Sequence, residues 1–202
     1  MYNVNKEIKS EGNGLNYLDV GIHDDVEMTS VEFKQSDKGN KFLVFTFEKD
    51  KKVVTHTEWE PKDQDPEKLE EKTINQIKRV KHIVTKYIPE EQYEFNVSNF
   101  EEFCNKTIAL LGSKYQGKKV RIKIVYNYSN YTTLPNYVPF IEKMEVPKED
   151  SRLEISSIDK MKKDLPDTEV KLESNPFDTD QDTSSADLPE SESKEEKDDM
   201  PF

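Results

Sequence analysis

Lys119-Val120-Arg121-Ile122-Lys123-Ile124-Val125-Tyr126 is an alternating run: Val120, Ile122, Ile124 and Tyr126 fall on one parity, Lys119, Arg121, Lys123 and Val125 on the other. Successive side chains of a strand point to opposite faces, so the run predicts a half-buried strand with its core on one side and its cations on the other. By this parity Tyr126 belongs with the core. Gly117, just ahead, marks the restart of a sheet after a different kind of segment.

That preceding segment reads as two helices. Asp65 is an N-cap with Pro66 at the first helical position, and Leu69, Thr73, Ile77, Val80, Val84 and Tyr87 recur at three- and four-residue spacing until Pro89 stops the helix. Ser98 and Glu101 stand at capping-box spacing ahead of a second helix through Phe103, Thr107, Ile108 and Leu111 to Gly112. Further upstream lie three strands. The first, 20–35, carries Val26, Met28 and Ser30 against Glu27, Thr29 and Val31. The turn signal Asp37-Lys38-Gly39-Asn40 leads to the second, 42–48, dense in aromatic and β-branched residues. A charged turn at 49–52 leads to the third, 53–59. Phe45 and Phe47 share one face and Phe42 the other, so the sheet carries aromatics on both sides. Downstream of Tyr126, residues 127–130 are a polar loop, and 131–146 is a last extended segment broken by Pro135 and Pro139, as a bent or edge strand would be.

Three strands, a helical insertion at about 61–115 and two further strands give a mainly β domain over 1–147. This is the chain order of an OB-fold, a five-stranded barrel with its helix between the third and fourth strands. A different small α+β sheet would have the same order of elements. After Pro147 the apolar density falls, and 148–202 is expected to be a mostly disordered acidic tail, with a weak helix over 153–165.

The whole chain is 33% hydrophobic and 36% charged, with a net charge of −12. Residues 173–202 hold eleven acidic side chains against Lys194 and Lys197, a net −9, which leaves −3 for the other 172 residues. Two long stretches have no acidic residue. One, 72–89, contains Lys72, Lys78, Arg79, Lys81 and Lys86; the other, 103–141, contains Lys106, Lys114, Lys118, Lys119, Arg121 and Lys123. Local fields decide whether a phosphate chain can dock, so the acidic total does not exclude a nucleic acid. No apolar run is long enough to span a bilayer, and residues 1–11 lack the apolar centre of a signal peptide, so a cytoplasmic protein with no membrane partner is expected.

The chemistry points to binding. Cys104, the single cysteine, excludes an intramolecular disulfide and reads as a small core residue. His23, His56 and His82 sit in unrelated contexts, with His56 expected at the surface or in a groove. Six glycines leave little material for a phosphate loop. We therefore expect no catalytic residues, metal or cofactor. Single strands are held by a positive path along the backbone and by aromatic rings on which bases stack. Lys119, Arg121 and Lys123 supply one strand face of cations; Tyr128, Tyr131 and Tyr137 are aromatics in the loops that follow, with Asn127, Asn130 and Asn136 able to bond bases or sugars. Trp59, Lys78 and Arg79 complete the candidate set.

The chain closes Asp198-Asp199-Met200-Pro201-Phe202. This resembles the C-terminal tip of bacterial single-stranded DNA-binding proteins: acidic residues, an aliphatic one, Pro and a final Phe. The overall design is similar to the phage replication proteins of this class. The helical insertion is longer than in the bacterial family and its usual N-terminal strand sequence is absent, so the resemblance implies the role of the tip and not a tetramer or a set of stacking residues. It implies that Asp198, Asp199, Met200, Pro201 and Phe202 dock replication or recombination proteins, the ring and terminal carboxylate suiting an apolar pocket with a basic rim. The expected function is sequence-independent coating of single-stranded DNA in replication, recombination or repair, in a bacterial cytoplasm if phage-encoded; a homo-oligomer is compatible with it. A protein-interaction adaptor with a solubilising tail and a single-stranded RNA-binding barrel are the alternatives.

Overall fold

The computed structural model describes residues 16–162. The acidic tail from 163 onward, its tip at 198–202 and the first fifteen residues lie outside the described residues. Strand β1 (Asn16–Tyr17) is a two-residue piece that pairs parallel with a later strand; β2 (Gly21–Gln35), β3 (Lys41–Lys49) and β4 (Lys52–Trp59) form the antiparallel meander read from the sequence. The β3–β4 turn puts both Asp50 (φ 51°) and Lys51 (φ 64°) in left-handed conformation without a glycine. That pair of positive φ values matches the twist of two tightly joined strands.

β2 departs from simple alternation. Its register against β3 slips between Met28 and Ser30, so one extra residue enters and the parity reverses. Val26 and Met28 face the core before the bulge and Val31 after it, where unbroken alternation would have put Ser30 inside. A second slip, between His23 and Val26, sits where β2 pairs with β5, and Asp25 there has a φ of 58°.

Helices α1 (Pro66–Val84) and α2 (Phe100–Leu111) follow β4. Asp65 caps α1, accepting from the Glu67 amide at 3.0 Å, with Pro66 at its start. The buried face of α1 is Gln76, Val80, Ile83 and Val84; Ile77, expected inside, is exposed. The helix packs its first half against a polar strand end, where Gln76 donates to the Trp59 carbonyl at 2.7 Å, and that bond sets its rotation. The cap of α2 lies one residue later than the spacing suggested: Asn99 accepts from the Glu102 amide and the Glu102 carboxylate accepts from the Ser98 amide, both at 2.9 Å. The pair is close to a capping box, with the carboxylate reaching the amide one residue ahead of the cap.

β5 (Lys119–Tyr126) lies antiparallel to β2, and the last extended segment pairs with β5 in two short pieces, β6 (Thr132–Thr133) and β7 (Ile141–Lys143). Pro135 and Pro139 lie in the gap between them, because proline cannot donate to the ladder. The sheet order is β1-β4-β3-β2-β5-β6, with β7 also on β5. Thr133 returns to β4, its hydroxyl donating to the Thr55 carbonyl at 3.2 Å. The protein is thus mainly β, a nearly closed barrel-shaped sheet with two helices. Phe45, Phe47, Met28, Ile122, Ile124, Phe140 and Ile141 fill its interior with Ile83 and Leu111 from the helices, and Cys104 is buried in the same cluster. Beyond β7, residues 151–156 form no helix, where the sequence suggested one from 153; only a short 3-10 turn follows, at Ile158–Lys160. Leu153 is buried, and the Glu142 carboxylate accepts from the Ser151 hydroxyl and the Arg152 amide at 2.8 and 2.7 Å, which holds the backbone against the barrel. No helix among the described residues is long and apolar enough to cross a membrane.

Candidate nucleic-acid interface

Trp59 closes β4 on the parity opposite the core, directly across from Phe42 of β3. The two rings lie 4.5 Å apart at 42°, so Trp59 covers Phe42, which is buried, while remaining 48% exposed itself. A ring braced from below and open above is what base stacking requires. Beside it Lys62, Lys72, Arg79, Asn75 and Asn136 line a groove of about 390 Å³. Lys72 is held by Asp63 at 2.7 Å, and Lys62 donates to the Asn40 side chain at 2.9 Å.

Under this groove lies a buried polar network. Arg79 grips the Glu58 carboxylate with two bonds, 2.6 and 2.7 Å, and reaches the Asn136 carbonyl at 3.4 Å. Glu58 also meets His56 at 2.9 Å and Gln76 at 3.4 Å. Burial pushes the Glu58 carboxyl up, but Arg79 and then His56 outweigh it and hold the group at about 2. His56 is therefore an interior residue, not the surface or groove residue expected, because Glu58 on the same strand face gives its imidazole a partner inside. Arg79 is committed to Glu58 and positions the groove wall. Burial, reinforced by Lys86, lowers the nearby His82 to about 4, and its Nε2 accepts from the Phe140 amide at 3.3 Å.

The cation row on β5 is real, but most of it is covered. Lys119 is exposed; Arg121 and Lys123, expected to face solvent, are only 4% and 5% exposed. Arg121 pairs with Asp24, presented from the β2 bulge, and with Glu142 at 3.5 Å, and donates to the Val146 carbonyl at 3.3 Å. Lys123 bonds Asp159 and the Tyr137 hydroxyl, each at 2.8 Å, with its ammonium 4.9 Å from the Tyr137 ring centroid. Asp159 also accepts from Tyr137 at 2.7 Å and from the Ser156 amide at 2.8 Å. Burial raises the Asp159 carboxyl, yet Lys123 and these donors carry it far below the usual carboxylate range. Residues 147–162 therefore lie along the outer side of β5 and place a carboxylate on the cation the strand presents. Tyr126 is half-buried, with the Lys162 ammonium 5.4 Å from its ring centroid.

Tyr128 and Tyr131 are exposed on the β5–β6 hairpin, where the Asn127 side chain accepts from the Ser129 and Tyr131 amides at 2.9 Å; Tyr137 is exposed on the β6–β7 link. Lys78 is exposed on α1, away from the buried stripe, and does not join the groove. The structure thus brings Trp59, Arg79 and Asn136 together and separates Lys78 and Lys119 from them. Lys62 was missed: it sits in a mixed-charge stretch with no pattern to flag it. Among the described residues no group of three His, Cys, Asp or Glu side chains could hold a metal ion. No protein-family model matches the chain, and no curated protein matches it.

Proposed function

We propose that this protein binds single-stranded DNA without strong sequence preference, as a coating protein of replication, recombination or repair, and that its function is binding rather than catalysis. The observation that carries the reading is Trp59, braced on Phe42 and half-open above a groove rimmed by Lys62 and Lys72. The ring offers a stacking platform worth on the order of 1–3 kcal/mol per base, and the lysines offer a backbone contact that reads no sequence. We read the barrel as an OB-fold: a three-strand meander, β5 beside β2, and a final segment that runs from β5 back to β4. Tyr128 and Tyr131 on the β5–β6 hairpin and Tyr137 on the β6–β7 link are further exposed rings. In this reading the acidic tail keeps the protein soluble and its Asp198, Asp199, Met200, Pro201 and Phe202 tip recruits partner enzymes.

The test is a titration of Trp59 fluorescence and anisotropy with oligo-dT, beside a duplex of equal length and an oligo-rU strand. Tight, salt-sensitive preference for dT over duplex, with quenching, is the expected result. Equal preference for rU transfers the function to RNA. No binding at low salt, even after removal of residues 173–202, leaves a protein-interaction adaptor.

A further inference from the structure

The turn after α1, the start of β5 and the end of β7 enclose an open cleft of about 990 Å³. Four lysines line it, Lys86, Lys118, Lys119 and Lys143, together with the carboxylates of Glu90, Glu91 and Glu145, and Lys118 donates to the Tyr87 carbonyl at 3.0 Å. Several cations elsewhere are matched with carboxylates, among them Lys41, Lys72, Lys81, Arg79, Arg121 and Lys123. Three of these four are not. Among the described residues no carboxylate lies within ion-pair distance of Lys86, Lys118 or Lys143, and the nearest to Lys119 is Asp25, at 4.0 Å. Glu90, on the rim, is already held by Lys81 at 2.8 Å. Burial, and then the neighbouring Lys143, lower the affinity of Lys86 for its proton, with Glu142 and Glu90 opposing. Gathering four ammonium groups, three of them beyond ion-pair distance of any carboxylate, raises the free energy of the folded chain, and a bound polyanion would relieve it.

We propose that this lysine cleft is a phosphate-binding site, occupied by the backbone of the same single strand whose bases stack at Trp59; the occupant rests on the function proposed above. The two places are ends of one seam. The segment from β6 to β7 runs alongside α1, touching it at Arg79–Asn136, at His82–Phe140 and, through charge, at Lys86–Lys143. From Lys72 in the Trp59 groove to its last residue, Val84, two positions short of Lys86, α1 advances about 18 Å, a span of a few nucleotides and within the site of one barrel. The cleft walls supply no exposed ring, and ammonium groups bind phosphate as point charges, so this end holds backbone and reads no base.

Full-length protein is titrated with oligo-dT across a salt series, in parallel with the triple variant Lys86→Gln, Lys118→Gln, Lys143→Gln. The double variant Lys118→Gln, Lys143→Gln alters exposed side chains only and covers the case where the triple fails to fold. Each lost phosphate contact lowers the slope of log affinity against log salt by about 0.7, so the triple should lose about 2 and the double about 1.4, with binding at low salt weakened at least tenfold and Trp59 quenching kept. Unchanged affinity and slope in both variants would overturn the cleft while leaving the stacking groove standing. Tighter binding by the variants would also overturn it, assigning the cleft to the chain's own acidic tail. Inorganic tripolyphosphate, titrated calorimetrically, separates the two proposals. If wild type takes it up through these lysines but ignores dT, the phosphate site holds and the DNA reading falls. If it takes up neither, both fall.

Discussion

Substituting Glu58→Gln probes the polar network beneath Trp59, and its consequence depends on pH in a way the geometry specifies. Glu58 is buried, doubly bonded by Arg79 and bonded by His56, and is held at about 2 against 4.5 for an ordinary glutamate. A carboxyl lowered by folding contributes its full stabilisation above the unfolded value and loses it as pH falls through the folded one. At 1.36 kcal/mol per unit this shift is worth about 3 kcal/mol at neutral pH, of which about 2 is gone by pH 3. The glutamine variant keeps the shape but leaves Arg79 without its counter-charge, a loss of about 3–5 kcal/mol at pH 7. Urea unfolding of both proteins between pH 7 and pH 3 reads the difference directly. Wild type should lose its advantage as pH drops from 4.5, the two curves converging by about 2 kcal/mol. Parallel curves across that window would refute the reasoning, because Glu58 would then titrate alike in the folded and unfolded chains.

Lys51→Gly should raise stability by about 1 kcal/mol in a thermal melt, since Lys51 holds a left-handed conformation that glycine adopts without strain; a fall would mean the Lys51 side chain makes a contact that outweighs it. Tyr87→Phe removes the one buried side-chain polar atom that has no hydrogen-bond partner among the described residues, so stability should hold or rise by about 1 kcal/mol. A loss of 2 kcal/mol or more would show that the hydroxyl is satisfied. Deleting 173–202 removes a net charge of −9 and, on the DNA reading, should tighten oligo-dT binding at low salt, the gap closing as salt rises. Unchanged affinity at low salt would argue that the tail does not compete for the groove.

Much of this architecture is local and so was legible in the sequence. Strands at 42–48 and 53–59, the alternation of 119–126, the Asp65-Pro66 helix start and the prolines that break the last strand all follow from backbone preferences a few residues long. So does the burial of Phe45 and Phe47 on one face with Phe42 on the other. The uneven charge was legible too, and it pointed to 103–141, where Lys118 and Lys119 of the lysine cleft lie.

What only the tertiary structure decided are the facts set by residues distant in the chain. Alternation tells which side chains share a face, not what covers that face: Arg121 meets Asp24 from 97 positions away, and Lys123 meets Asp159 from a segment that reads as tail. One inserted residue in β2 reverses parity, and composition does not announce it, so Val31 rather than Ser30 turned inward. Gln76 displaced Ile77 from the helix face because the neighbouring strand end offered a carbonyl and a carboxylate. The grouping of Lys86, Lys118, Lys119 and Lys143 draws on three elements and has no linear signature. Hydrophobic periodicity is a property of one segment at a time, whereas burial, charge pairing and a groove belong to whichever segments the closing sheet brings together.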